Sequence, residues 1–147
     1  MSTTKTIELN FTRTIPATPA EVFAAWMNPE HPGNPWTGAK KLIFDGRVDG
    51  LFYFLTGKGE GWPHYGRFLV IECDYHLQYG WMSPFTNGLE SVVTVTFEKK
   101  GDGTLLTLKH ANLPDDERGR LHDEGWKSVI ERFSEPFPVR SQAQLEA

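Results

Sequence analysis

The sequence predicts an α+β domain in which an antiparallel sheet of about six or seven strands packs against a C-terminal helix, with one short helix after the first strand. Three observations lead to this prediction. Short apolar segments follow one another from residue 40 to residue 110 with short connections, which favours antiparallel pairing. A turn at Gly101-Asp102-Gly103 separates two of these segments. After Asp115, apolar residues recur with helical spacing.

The N-terminal part of the chain predicts a half-buried strand and then a short helix. From Thr6 to Ile15, apolar and polar residues alternate, as on a strand with one buried face. Thr18-Pro19-Ala20-Glu21 is a capping-box sequence with proline where its missing N–H is harmless. We expect this helix to end near Met27. The proline-rich segment that follows is predicted to be an ordered loop with Trp36 as its anchor.

The middle of the chain predicts strands joined by turns. Gly57 to Gly61 is predicted to form a flexible, glycine-rich turn and is a candidate lid over a cavity. It matches no phosphate-binding or dinucleotide-binding motif. The strands are expected at Lys41 to Phe44, Leu51 to Thr56, Tyr65 to Cys73, His76 to Met82, Ser91 to Lys99 and Thr104 to His110.

The last predicted element is an amphipathic helix. Acidic residues at 115–117 suit its N-terminus, and Pro136 is expected to end it. Its apolar face carries Trp126, Val129, Ile130 and Phe133, with His122 one turn earlier. Gly125 lies inside this helix, where a close backbone contact, room for the Trp126 ring or relief of a steric clash would each explain it.

Length and charge limit the function classes. The chain of 147 residues suits a single domain over residues 1–147, with a core at about 5–135 and a polar tail at 136–147. A net charge of −4 argues against nucleic acid as a partner, because phosphate binding needs a basic face. Neither a signal peptide nor an apolar run of about 18 residues is visible, so we expect a cytoplasmic protein without membrane insertion. No oligomeric state follows from these patterns.

Metal and nucleophile chemistry have little support. Cys73 is the only cysteine, so neither an intrachain disulfide nor a cysteine-based zinc site is expected. The five histidines show no recognised metal-ligand spacing, and no Gly-x-Ser-x-Gly motif is present. We therefore expect no metal and no cofactor.

Three stretches resemble a known family in their order and spacing. They are Arg13 to Ala17 with Pro19 to Trp26; Tyr65 to Glu72 leading to Leu77 and Trp81; and Leu106 to Leu108 through His110 to Gly125-Trp126. Together they resemble the START-like (SRPBCC) superfamily, specifically the branch related to activators of heat-shock chaperone ATPase. The resemblance covers residue 5 to about residue 135. It implies a helix-grip fold: a curved antiparallel sheet wrapped around a long C-terminal helix, often with an apolar cavity between them.

Strand periodicity then assigns the side chains that face this cavity. His110 shares a face with Leu106 and Leu108, opposite Lys109, so the histidine face is predicted to be the inner one. Trp62 is expected at the rim. The candidate ligand-binding residues are Phe52, Phe54, Trp62, Tyr79, Trp81, Phe97, His110, Trp126, Ile130 and Phe133. The alternative interpretation is that these side chains simply fill the core.

We therefore expect a binding domain for a small apolar, aromatic or lipid-like molecule. A second hypothesis is an enzyme of cyclase or hydrolase type that uses His110 or Tyr79 to move protons; His110 is the candidate acid or base. No carboxylate is placed by the sequence to orient His110, so a core histidine with satisfied hydrogen bonds is the simpler interpretation. A third hypothesis is a chaperone-stimulating domain. It is less favoured because only one domain is predicted, with no second module to hold a chaperone.

Overall fold

The computed structural model describes residues 5–37, 39–56 and 61–137. The predicted lid at 57–61, apart from Gly61, and most of the predicted tail at 136–147 lie outside the described residues. Its elements, in chain order, are β1 (Thr6–Ile15), α1 (Pro19–Trp26), β2 (Lys41–Phe44), β3 (Leu51–Thr56), β4 (Trp62–Glu72), β5 (His76–Trp81), a short 3₁₀ helix (Pro84–Thr86), β6 (Ser91–Lys100), β7 (Gly103–Pro114) and α2 (Glu117–Ser134). All seven strands belong to one sheet in the order β1-β7-β6-β5-β4-β3-β2, and every neighbouring pair is antiparallel. The predicted α+β architecture is confirmed.

Two strands are longer than the sequence predicts. β4 begins at Trp62 and not at Tyr65, because Trp62 to Tyr65 pair with β3. β7 continues past His110 to Pro114, because β1 supplies partners as far as Thr6. A bulge makes this extension possible. Between the pairs Ile7–Leu113 and Leu9–His110, β7 has one residue more than β1, and Asn112 has a φ of 61° there.

The first helix and its following loop form as predicted. The side chain of Thr18 accepts a hydrogen bond from the Glu21 amide, and the Glu21 side chain accepts one from the Thr18 amide. Trp36 anchors the loop, since its indole Nε1 donates to the carbonyl of Trp26 at 2.7 Å. Gly33 has a φ of 90°, and a Cβ there would lie 2.4 Å from the carbonyl oxygen of Arg132. The loop therefore packs directly against the end of α2.

The core lies between the inner face of the sheet and the two helices. Trp36 is 1% exposed and lies within 5.0–6.1 Å, between ring centroids, of five aromatic rings. Those rings are Phe44, Phe52, Phe54, Phe68 and Tyr79. Much of the core at this end is thus aromatic, which follows from the alternating aromatic residues of β3 and β5.

The last helix begins and ends close to the predicted residues. Asp116 is its N-cap, with the side chain accepting from the Gly119 amide at 3.0 Å. Trp126, Ile130 and Phe133 are buried at i, i+4 and i+7. A Cβ on Gly119 would lie 1.8 Å from the carbonyl oxygen of Pro114, so this glycine allows the strand and helix to meet closely.

The surroundings of Gly125 exclude two of the three explanations for a glycine at this position of α2. A Cβ at this position would meet nothing within 4 Å, so neither a close backbone contact nor a steric clash accounts for the glycine. It borders open space beside Trp126. None of the helices described here is both long and apolar enough to cross a membrane.

Candidate functional site

An open pocket of about 600 Å³ lies where the sheet, the loop after α1 and helix α2 meet. The loop and sheet provide one wall, and α2 provides the other. Aromatic side chains dominate its deeper part. The lining residues are Asn34, Pro35, Thr37, Lys40, Phe54, Thr56, Trp62, His64, Trp81, Phe85, Leu121, His122, Gly125, Trp126, Ser128, Val129 and Arg132.

Four of the predicted ligand-binding residues line this pocket: Phe54, Trp62, Trp81 and Trp126. Trp62 is 50% exposed and its ring packs against Phe85 at 5.1 Å, which is the arrangement expected of a rim residue. Trp81 is 6% exposed and packs against Trp126 with ring centroids 5.2 Å apart. Trp81 and Trp126 thus connect the sheet wall of the pocket to its helix wall.

The other predicted residues do not reach the pocket. Five of them are packed in the closed core, where side chains from the sheet and helices fill the space between these elements: Phe52, Tyr79, Phe97, Ile130 and Phe133. His110 is fully buried and lies behind Trp126, with ring centroids 5.8 Å apart. For these residues the core interpretation describes the observed packing, because they lie on the inner face of the structure but away from the open pocket.

His110 forms part of a buried chain of hydrogen bonds that joins α2 to the sheet. Trp126 Nε1 lies 2.8 Å from His110 Nδ1, and Ser91 Oγ lies 2.7 Å from His110 Nε2. An indole N–H can only donate, so Nδ1 accepts and the neutral ring carries its proton on Nε2. Nε2 then donates to Ser91, whose hydroxyl donates to the carbonyl of Trp81 at 2.5 Å. Every polar atom of this chain is satisfied.

This arrangement opposes proton transfer by His110. Burial lowers the pKa of His110 well below its usual value, and the nearby His122 ring lowers it further. A second proton on Nδ1 would face the indole N–H of Trp126 and break that hydrogen bond. The imidazole is therefore held neutral, and both of its nitrogens are already occupied.

Two other histidines line the pocket, and sequence analysis gave neither a firm role. His64 Nδ1 lies 3.1 Å from the carbonyl oxygen of Trp62, and His122 Nδ1 lies 3.1 Å from that of Gly119. A carbonyl can only accept, so each Nδ1 carries a proton and each neutral ring has its lone pair on Nε2. Burial lowers the pKa of His64 to about 4 and also lowers that of His122. Both rings are uncharged at neutral pH.

Trp81 Nε1, in the pocket wall, is a buried donor with no hydrogen-bond partner among the described residues. Burial also raises the pKa of the Tyr79 hydroxyl, so this group stays protonated and does not act as a base near neutral pH.

Within the described residues, no three His, Cys, Asp or Glu side chains are grouped so that they could hold a metal ion.

The loop after α1 is the part of the site that sequence analysis missed. Asn34 is 3% exposed; its Nδ2 donates to the carbonyls of Ala25 and Asn28, and its Oδ1 accepts from the amides of Trp36 and Thr37. These bonds fix the loop as a pocket wall. The available signal was an asparagine between two prolines next to a buried tryptophan, which predicts an ordered turn but not its contacts. Phe85, Leu121 and Arg132 were likewise unassigned.

Comparison with known proteins identifies one matching family model, described as Activator of Hsp90 ATPase homolog 1-like protein, over residues 16–137. No curated protein matches the chain. Similar solved structures include protein CV1439 from Chromobacterium violaceum, with a TM-score of 0.74 at 19% identity, covering 91% of this chain and 98% of that one. The Aha1 dimer from Colwellia psychrerythraea gives a TM-score of 0.72 at 12% identity, covering 89% and 96%. Mll3558 from Rhizobium loti gives 0.67 at 23% identity, covering 88% and 96%. At these identities the structures establish a common fold.

Proposed function

The chain belongs to the family of Activator of Hsp90 ATPase homolog 1-like proteins, a branch of the START-like superfamily, and from this premise we propose that it binds a small aromatic or lipid-like molecule in the pocket between sheet and α2. The observation that carries the proposal is the open pocket itself. Its volume of about 600 Å³ lies within the range of about 300–1,000 Å³ that is common for small-molecule sites.

The composition of the walls supports an aromatic occupant. Five aromatic side chains line the space: Phe54, Trp62, Trp81, Phe85 and Trp126. Flat rings in offset or edge-to-face contact with such walls gain about 0.5–1.5 kcal/mol per ring pair beyond the burial of area. The hydrogen bonds through His110 hold Trp126 in place before any ligand enters, which reduces the entropy lost on binding.

A binding role fits the site better than the enzymatic alternative. The candidate acid or base, His110, is buried behind Trp126, and both ring nitrogens are engaged within the protein. A general base must come within hydrogen-bond reach of the proton that it takes. His110 meets this requirement only if the bond to Trp126 or to Ser91 is broken.

A chaperone-related role remains the second candidate, because the family description refers to activation of the Hsp90 ATPase. Its test is direct: purified Hsp90 ATPase activity is measured with increasing amounts of this protein. Stimulation that saturates would establish this role, whereas an unchanged rate at high concentration would reject it. The assay is independent of the pocket, so the two roles are tested separately.

The test of ligand binding uses N-phenyl-1-naphthylamine, a neutral aromatic dye that fluoresces when it leaves water. Gly125 borders the pocket and a Cβ there meets no other atom within 4 Å, so Gly125→Trp is designed to obstruct the space without disturbing the core. Gly125→Ala is the matched control, since it makes the same backbone change without filling the pocket. We expect saturable binding to the native protein and the alanine variant, and a loss of at least about tenfold in affinity for the tryptophan variant.

Thermal unfolding gives a second readout of the same binding. A ligand at about 100 times its dissociation constant stabilises the folded state by about 2.7 kcal/mol. Absence of both dye binding and a thermal shift in the native protein would overturn the proposal. Equal binding by the Gly125→Trp variant would overturn the assignment of binding to this pocket.

A further inference from the structure

The pocket lining is positively charged, whereas the chain as a whole is negatively charged. The protein has 19 acidic residues against 15 Lys and Arg. Among the described pocket-lining residues, however, the formally charged side chains are Lys40 and Arg132, and none is Asp or Glu. A concave, partly apolar site lined by one sign of charge concentrates the electric field and favours ligands of the opposite sign.

The acidic residues of α2 are directed away from this site. Asp123 pairs with Lys127 at 2.8 Å, and neither residue lines the pocket; nor does Glu124 or Glu131. The pocket side of the helix instead presents Leu121, Gly125, Ser128 and Arg132 at intervals of three and four residues. Helical periodicity thus separates the acidic side of α2 from the pocket side.

Arg132 lies at the mouth of the pocket on a fixed backbone. Its Nε is 3.3 Å from the carbonyl oxygen of Ser128, and its own carbonyl is held against Gly33 of the loop. Within the described part of the chain its guanidinium forms no ion pair, although five other Arg or Lys side chains pair with carboxylates. Those five cations all lie outside the pocket lining, whereas Arg132 faces the pocket without a carboxylate partner among the described residues. The terminal N–H groups of Arg132 are thus left to bind an anionic group in the planar, two-point manner that suits guanidinium.

 

The two histidines of the pocket add no negative charge. Each Nδ1–H is directed to a backbone carbonyl, so His64 and His122 present neutral rings to the interior. Nothing among the described lining residues would repel an anion by its formal charge. The aromatic walls and the cations also occupy different parts of the site, since Trp81 and Trp126 are buried whereas Lys40 and Arg132 are exposed.

From this distribution we infer that the ligand is an aromatic acid: a flat ring system held between the aromatic walls, with a carboxylate or similar anionic group at the mouth beside Arg132 and Lys40. This inference rests on the proposed binding function and specifies the chemical class of its ligand. The ring accounts for the apolar interior, and the anion accounts for the guanidinium of Arg132 and for the absence of acidic side chains among the described lining residues.

The test compares 2-naphthoate with 2-naphthamide by titration calorimetry on the full chain at pH 7.5. The two molecules have nearly the same shape, but only the first is charged. We expect the carboxylate to bind about five- to tenfold more tightly, the effect of one or two exposed ion pairs. Added salt should weaken the binding of 2-naphthoate and leave that of 2-naphthamide nearly unchanged.

Two variants locate the effect. Arg132→Gln should remove most of the preference for the carboxylate and leave the affinity for the amide unchanged. Lys127→Gln is the matched control, because it changes the net charge equally on the same helix but lies outside the pocket lining. Equal affinities for the two ligands in the native protein would overturn this inference while leaving the binding function intact. If neither molecule nor the neutral dye binds, the binding function itself fails.

Discussion

The indole Nε1 of Trp126 donates a hydrogen bond of 2.8 Å to Nδ1 of His110, across sixteen positions of sequence. This bond joins the middle of α2 to β7 at the back of the pocket. It also fixes the protonation state of the histidine, since the indole N–H occupies the place where a second proton would bind. The same pair thus determines the shape of the pocket and opposes a catalytic role for His110.

Replacing the indole donor should destabilise the protein. In Trp126→Phe, Nδ1 of His110 loses its partner in a buried environment, at a cost of about 1–3 kcal/mol in the free energy of unfolding, with the lost ring volume adding to it. Urea unfolding measures this change. Trp62→Phe is the control, because Trp62 is 50% exposed, and we expect a change within about 0.5 kcal/mol. Equal effects of the two substitutions would show that the hydrogen bond contributes little.

Acid should destabilise the fold through its buried histidines. The folded-state pKa values of His64, His110 and His122 are all lowered, so below about pH 6.5 the unfolded chain binds more protons than the folded one. The free energy of unfolding is therefore unaffected by these histidines above that pH. It decreases as pH falls below it, by at most about 1.4 kcal/mol per pH unit for each histidine. Urea unfolding between pH 8 and pH 5 checks the sign.

Nuclear magnetic resonance of the imidazole nitrogens resolves the individual histidines. We expect His110 as the Nε2–H tautomer, and His64 and His122 as Nδ1–H tautomers, because of their partners. His64 should titrate at about 4. A His110 signal that titrates near pH 6.5, or that shows a protonated Nδ1, would contradict the hydrogen-bond chain described here.

The two glycines of α2 should respond to alanine with opposite signs. Gly125→Ala should stabilise the protein by about 1 kcal/mol, because alanine is the better helix former and its Cβ meets nothing within 4 Å. Gly119→Ala should destabilise it, since its Cβ would lie 1.8 Å from the carbonyl oxygen of Pro114 and the helix would have to shift. Thermal unfolding of both variants decides this, and stabilisation by both would refute the close contact at Gly119.

The loop wall should depend on the amide of Asn34. In Asn34→Asp, a carboxylate oxygen replaces the group that donates to the carbonyls of Ala25 and Asn28, and we expect a loss of more than about 2 kcal/mol at pH 7. Protonation of the new carboxyl restores one donor, so the loss should shrink toward about pH 4. Asn28→Asp is the control. The Asn28 side chain accepts from the Glu30 amide, a role that a carboxylate keeps, so its effect should be small.

Much of the fold follows from short stretches of sequence, because local patterns carry the information. The capping box at Thr18 and Glu21 specifies the start of α1 through residues three positions apart. Strand alternation places Phe52 and Phe54 on the inner face, where both are buried. Both features depend only on interactions and side-chain directions within a few consecutive residues.

The boundary between core and pocket required the tertiary structure. Phe52 and Phe54 share one face of β3, yet only Phe54 lines the pocket. Periodicity is identical for the two residues, and Trp36 of the loop packs against both rings, yet only Phe54 borders the open space. The extension of β4 to Trp62 has a similar origin, since a neighbouring strand supplies the hydrogen bonds.

The sequence by itself determined the order of the elements, their buried faces and the family to which the chain is similar. Only the tertiary structure decided that Ser91, His110 and Trp126 form one hydrogen-bonded chain, that Asn34 holds a pocket wall, and that Arg132 faces the pocket mouth. The physical reason is separation along the chain. Periodicity fixes the direction of a side chain within its own element, whereas its partner is chosen by the packing of elements that are distant in sequence.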